Sequence, residues 1–280
     1  MIKAIFFDID GTLLTNKGRI AKNTKKAIRD LHKKGIVCGV STARTPKSVA
    51  HILKDLPFDL FIACNGQLVY TKEQMIYERA FESEALAEII SYADQHFRQM
   101  ILCGKNHSVG SWTMRFGQSQ FLLHFMRFVP HYFPIRKMKR FLQKYSPNRR
   151  KQRYSGLAIL KEPIYQCVML SPEYETERLA AALPHCDLKR SNPYSVDIVP
   201  KGSSKLAGLK FLVEHLDIKL EETMVFGDHL NDIEIIQGAG MGVAMGNATA
   251  KTKQAADYVT ATNNQDGITA ALRYFNLIKE

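Results

Sequence analysis

An apolar run from Met1 to Phe7, broken only by Lys3, stops at Asp8-Ile9-Asp10-Gly11. A run that short, aliphatic and aromatic, with glycine close behind it, reads as a buried strand. Two carboxylates then stand at its carboxyl end. In an open α/β sheet that edge is where ligands bind, and two acids one residue apart cannot both stay ionised there cheaply without a cation or a proton. A metal site is one reading. A strand closed by an ordinary Asp-Gly turn is the other, because both residue types are favoured in turns for backbone reasons.

The same punctuation recurs along the chain. Ile20, Ala27, Ile28 and Leu31 mark a helix that Gly35 closes, Ile36 to Val40 reads as a strand, and Thr45-Pro46 opens a helix running to about Leu56. Leu60 to Cys64 is a third strand, and Asn65-Gly66 turns the chain into a hairpin of Gln67 to Tyr70 and Met75 to Tyr77. Short strands alternating with helices of a dozen residues predict an α/β fold, a Rossmann-like parallel sheet covered on both faces. After about Phe81 the rhythm changes. A helix over Glu84 to Phe97 leads into an aromatic-rich run, Phe116 to Phe133, which reads as helical core packing because His124, Arg127 and His131 are spread through it. A strand (Ile164 to Leu170), a helix (Glu173 to Leu183) and a strand (His185 to Lys189) rebuild a layer there. At Val196 to Pro200 the first rhythm returns, followed by a helix to His215 with Ser203 as its N-cap and the strand Met224 to Phe226. The organisation predicted is a core of residues 1–82 and 191–280 with an inserted α+β cap of residues 83–190.

The net charge of +12 is unevenly placed. Residues 83–190 hold 17 Lys and Arg against 8 Asp and Glu, and Arg136 to Arg153 carries nine basic residues and no acid. Such a run can attract nucleic acid, anionic lipid or phosphorylated small molecules, or form a solvated face. Five scattered cysteines without CxxC or Cys/His spacing suggest neither a disulfide framework nor a zinc site. With no apolar stretch near the roughly 18 residues of a membrane span, a cytoplasmic protein is expected.

Four polar clusters fall at strand ends or at the start of a following helix: Asp8/Asp10, Thr42, Lys205 and Asp228/Asn231/Asp232. Singly, each has a plain explanation as a turn, a solvated lysine or an acid-rich helix start. In a parallel sheet these ends share one edge, so clusters more than two hundred residues apart can converge.

The set resembles the haloacid dehalogenase superfamily. Asp8-Ile9-Asp10-Gly11-Thr12-Leu13-Leu14 matches its first motif, Ser41-Thr42-Ala43-Arg44 the second, Lys205 the third and Gly227-Asp228-His229-Leu230-Asn231-Asp232 the fourth. The insertion between the second and third looks like the Cof-type branch with its large α/β cap of the C2 type. The resemblance implies a phosphatase of small phosphorylated metabolites. In it Asp8 attacks phosphorus and forms an aspartyl-phosphate, while Asp10 protonates the leaving alcohol and then deprotonates water. Asp8, the backbone carbonyl of Asp10 and Asp228 would hold Mg2+. Thr42, Ala43, Lys205 and Asn231 would bind the phosphoryl group, Asp232 would support Lys205 or the ion's water shell, and Thr12 would orient Asp10. Two departures stand out. Ala43 replaces the usual glycine beside a backbone amide used on phosphate, and Leu206 replaces the glycine after the lysine, so Lys205 is chosen over Lys201 by spacing. Asn65 and Gly66 lie near the same edge, where a plain hairpin turn explains them as well. A phosphomutase is the alternative within the superfamily. A nucleic-acid-binding or regulatory protein using the basic cap is the alternative outside it, disfavoured by the intact nucleophile, acid/base and metal residues.

Overall fold

The computed structural model describes residues 1–54, 56–111 and 154–279. The chain forms two compact units. One comprises Met1–Arg79, Lys189–Ser191 and Gly202–Glu280, the other Ala80–Leu188 and Asn192–Lys201.

The first unit contains strands β1 (Ala4–Phe7), β2 (Val37–Ser41), β3 (Leu60–Ala63), β4 (Leu68–Thr71) and β5 (Met75–Glu78). After the five strands of the second unit, it adds β11 (Thr223–Gly227), β12 (Met241–Ala244) and β13 (Tyr258–Val259). They form one eight-stranded sheet in the order β13-β12-β11-β1-β2-β3-β4-β5. The six strands from β13 to β3 run parallel, and β3, β4 and β5 pair antiparallel.

Successive residues of a strand point to opposite faces, and both faces of β1 are covered. Ile5, Phe7 and Ile9 join one core with Ala27, Ile28 and Leu31 of α1 (Lys22–Lys33) and Val49 and Leu53 of α2 (Pro46–Leu53). Ala4 and Phe6 face the other, against Leu209, Leu212 and Val213 of the helix Lys205–His215. The Phe7 ring stacks on Phe226 of β11 at 5.1 Å and meets Phe58 edge-on at 6.1 Å. The expected α/β core with helices on both faces is what the first unit adopts.

The second unit has β6 (Met100–Cys103), β7 (Ser108–Gly110), β8 (Gln166–Leu170), β9 (Cys186–Lys189) and β10 (Ser195–Pro200), in the order β7-β6-β8-β10-β9. One face packs on α3 (Ser83–Gln95) and α4 (Thr176–Ala182) through Ala85, Ile89, Ile90 and Leu179. The strand at Val196 to Pro200 corrects the sequence reading. It does not resume the parallel core but pairs antiparallel with β8, Val196 opposite Met169 and Ile198 opposite Cys167. Val196 to Pro200 are all buried, Asp197 among them, and a short, mostly apolar run buried on both faces occurs in antiparallel as well as in parallel sheets, so its pattern does not say which sheet it joins. The aromatic run Phe116 to Phe133 and the basic run Arg136 to Arg153 lie outside the described residues. Among the described residues, no helix is long and apolar enough to cross a membrane.

Candidate active site

The register of the parallel strands assembles the site. Phe7 lies opposite Val40 on one side and Phe226 on the other, and Ser41 lies opposite Ile62. The residues just past these strand ends therefore share one edge: Asp8, Thr42, Cys64 and Asp228. The backbone continues the ladder into them, with Asp8 N–H donating to the Phe226 carbonyl at 2.9 Å and Thr42 N–H to that of Ile62 at 2.8 Å.

Asp8 is buried, and its Oδ1 accepts from Lys205 Nζ at 2.7 Å. The ammonium is itself only 1% exposed and donates at 2.6 Å to Asp232 Oδ1. Lys205 opens α5 (Lys205–His215) and is carried inward by it. The N-cap of this helix is Ser204, whose hydroxyl accepts from Ala207 N–H at 3.1 Å, so the expected cap at Ser203 is one residue early. Either serine is chemically suited, and the extended backbone at Ser204 places its oxygen in reach of the third helical amide. Lys201 pairs with Asp187 in the second unit, which leaves Lys205 as the lysine at the strand edge.

Asp232 fixes the fourth motif with its other oxygen. Oδ2 accepts from the backbone N–H of both Asp228 and His229, each at 3.0 Å, and so closes the turn Leu230–Asp232 before α6 (Ile233–Gly238). This turn presents Asn231, whose Nδ2 donates to Asn65 Oδ1 at 3.2 Å. Asn65 in turn donates its backbone N–H to the Thr42 carbonyl at 3.0 Å. Three consecutive residues, Cys64, Asn65 and Gly66, hold positive φ here. The segment is thus more than a hairpin connection: it ties the second motif to the fourth.

One expectation changes. The Thr12 hydroxyl donates to Asp228 Oδ1 at 3.3 Å, not to Asp10, because the turn at Gly11 swings the chain back over the fourth motif. Gly11 has φ +88°, and a Cβ there would run into the Asp228 carboxylate, so glycine is required on both counts. Asp10 is gripped by Arg44 instead, with Nε donating to Oδ2 at 2.6 Å and Nη2 to Oδ1 at 2.7 Å. Ala43 departs from the usual glycine without backbone strain, since it is not among the positive-φ residues. Asn247, just beyond β12, went unnoticed in the sequence. Its Nδ2 donates to the Gly11 carbonyl at 2.9 Å and its Oδ1 accepts from Asn263 N–H at 2.9 Å. The signal was available: it follows the end of a core strand, as Asp8, Thr42 and Asp228 do.

Asp8, Asp228 and Asp232 bring carboxylate oxygens within 4.8 Å of one another. Lys205 supplies one positive charge against these three. Burial, with Asp232 and Asp10 nearby, pushes the Asp8 carboxyl up to about 7 despite the lysine. Burial, with Asp8 and Asp232 nearby, also raises Asp228 well above its ordinary value. Both oxygens of Asp232 are engaged, whereas Asp8 keeps Oδ2 available. A hard divalent cation fits this donor set and its excess of negative charge. One consequence is measurable. Asp8 has a folded-state pKa raised from the ordinary 3.8 to about 7, so the metal-free folded state binds the extra proton between those values. The stability that proton supplies is complete at low pH and is lost as pH rises through 7, on the order of a few kcal/mol. In EDTA, thermal unfolding is expected to shift downward from pH 5 to pH 8, and magnesium at pH 8 to shift it back up. Midpoints independent of pH and of magnesium would contradict this account of the cluster.

The sequence model of the haloacid dehalogenase-like hydrolases matches residues 5–272. The chain belongs to this family. It is 31% identical over 277 residues to YkrA of Bacillus subtilis, covering 99% of each chain. It is 28% identical over 280 residues to the 5-amino-6-(5-phospho-D-ribitylamino)uracil phosphatase YcsE of the same organism, covering 99% of this chain and 96% of YcsE. Among solved structures, the subclass IIB sugar phosphatase BT4131 superposes with a TM-score of 0.79 at 29% identity, covering 99% of this chain and 100% of that one. BT1666 from Bacteroides thetaiotaomicron gives 0.79 at 25% identity, over 99% and 96%. Within the family it is a Cof-type phosphatase, a phosphoric monoester hydrolase.

Proposed function

We propose that this enzyme hydrolyses small phosphorylated metabolites, sugar phosphates or nucleotides among them, by a magnesium-dependent two-step reaction through an aspartyl-phosphate on Asp8. The observation that carries the reading is the buried Asp8 carboxylate, one oxygen held by Lys205 at 2.7 Å and the other available, with Asp228 beside it and Asp10 two residues on. The names of YcsE and BT4131 support the substrate class.

In the first step Asp8 Oδ2 forms a bond to phosphorus as the ester oxygen departs, and Asp10 gives that oxygen its proton. In the second, Asp10 takes a proton from water, water oxygen bonds to phosphorus, and the acyl-phosphate P–O bond breaks to restore Asp8. Thr42, Asn231, Lys205 and the amide of Ala43 hold the phosphoryl oxygens as charge redistributes. Asp232 keeps Lys205 charged and aimed. Asp8, the Asp10 carbonyl and Asp228 would hold Mg2+, which supplies charge neutralisation between an anionic nucleophile and an anionic ester. The cysteines are buried and none is in a disulfide among the described residues, which suits a reducing compartment, and we place the enzyme in the cytoplasm.

The test is phosphate release from a broad panel of phosphomonoesters, with magnesium or EDTA. Release is expected from several sugar or nucleoside phosphates at kcat/KM of order 10^4 M−1 s−1 or above, and loss of it in EDTA. No release from any ester overturns the proposal, and so does a positional isomer formed without free phosphate.

A further inference from the structure

Asp10 occupies an exposed turn, its side chain 53% accessible, yet its carboxylate plane is fixed by two parallel bonds from Arg44. Arg44 is itself anchored at three points. Nη1 donates to Ser48 Oγ in the first turns of α2 at 2.9 Å, its backbone N–H donates to Thr42 Oγ1 at 3.2 Å, and its carbonyl accepts from Cys64 N–H at 3.0 Å. A half-exposed ion pair contributes little to stability, at most about 1 kcal/mol, so stability alone is a weak reason for so fixed an arm. Geometry is a better one. A proton carrier must come within roughly 2.6 to 3.2 Å of the oxygen it serves, and an exposed aspartate on its own would spread over its rotamers. A guanidinium fork meets a carboxylate in one plane and sets both its distance and its tilt.

We infer that Arg44 is the positioning residue for Asp10, holding its carboxylate where the leaving oxygen and then the attacking water must exchange protons. The inference rests on the reading of Asp10 as proton carrier. In the first step the Asp10 O–H bond breaks as the ester P–O bond breaks, leaving the carboxylate that Arg44 grips. In the second step that same carboxylate accepts the proton of water. Arg44 touches neither phosphorus nor the leaving group in this scheme.

Such a role has a signature that loss of phosphate binding or of folding lacks, because it depends on how much the leaving group needs a proton. Arg44→Ala and Arg44→Lys are compared with the parent enzyme on an alkyl phosphate and on p-nitrophenyl phosphate, whose nitrophenolate departs unprotonated. Asp10→Asn serves as the reference. For the alkyl ester, kcat/KM is expected to fall about 10^2-fold in Arg44→Ala, the low end for loss of a general acid. For the nitrophenyl ester it is expected to fall less than about tenfold. Arg44→Lys, which keeps the charge but loses the fork, should recover part of the alkyl activity and remains informative if the alanine variant does not fold. Equal losses on both esters would place Arg44 on the phosphate or in folding and overturn the inference, as would unchanged kinetics. If Arg44→Ala is unselective while Asp10→Asn is selective, only the Arg44 role is lost. If Asp10→Asn is itself unselective, the proton-carrier reading fails and takes this inference with it.

Discussion

Replacing Asp8 by Asn is expected to slow phosphate release at least about 10^3-fold, the largest effect of any single change at the site. The substitution keeps the shape of the side chain and one acceptor for Lys205 but removes the anionic oxygen that would bond to phosphorus. Two further readouts separate a lost nucleophile from a lost fold. Acid-quenched protein incubated with radiolabelled substrate should carry label in the parent and none in Asp8→Asn. The metal-free variant should also be at least as resistant to heat at pH 8 as the parent, because a neutral amide removes one of the crowded buried charges. A variant that keeps turnover within tenfold of the parent would end the aspartyl-phosphate proposal.

The second large effect concerns the fold as much as the chemistry. Lys205→Met retains most of the buried aliphatic volume but leaves Asp8 and Asp232 facing each other with no ammonium between them. Removing one member of a buried ionic cluster typically destabilises by about 3–5 kcal/mol. The deficit has a sign in pH. Without the lysine, buried carboxyls are protonated more readily in the folded than in the unfolded chain, so stability is kept at low pH and lost as pH rises. Urea midpoints of variant and parent should therefore lie closer at pH 5 than at pH 8, and variant turnover should fall by at least about 10^2-fold. Equal midpoints at pH 8 would mean that Lys205 is not what balances the cluster.

Much of the first unit is legible in the sequence because the strands of a doubly covered sheet are short apolar runs that end abruptly in polar residues. That is how Asp8, Thr42 and Asp228 could be placed on one edge, and why the register of β1 with β2 and β11 brings them together. What could not be read has physical reasons of two kinds. The strand Ser195–Pro200 shows how burial on both faces hides which sheet a strand joins. The partners of Thr12, Asp10 and Asn65 show how little sequence proximity says about side chains in tight turns. Thr12, two residues from Asp10, reaches Asp228 across 216 positions, while Asp10 is held by Arg44 from the next strand's loop. Arg44 stood in plain view in Ser41-Thr42-Ala43-Arg44 and Asn247 in Met245-Gly246-Asn247. Neither residue type advertises a positioning role until its partner is known.

The central position of β1 also constrains the order in which this protein can form. Ala4 pairs with Thr223 and Phe7 with Phe226, so during synthesis one edge of β1 stays open until more than two hundred further residues have emerged. Ala80–Leu188 and Asn192–Lys201, nearly continuous in the chain, are complete before β11 exists. The catalytic unit therefore has high contact order and closes last, with an aliphatic strand edge in the meantime open to other chains. In this protein the residues proposed to carry the chemistry lie more than two hundred positions apart in the chain, and no nascent fragment ending before β11 carries more than part of the candidate site.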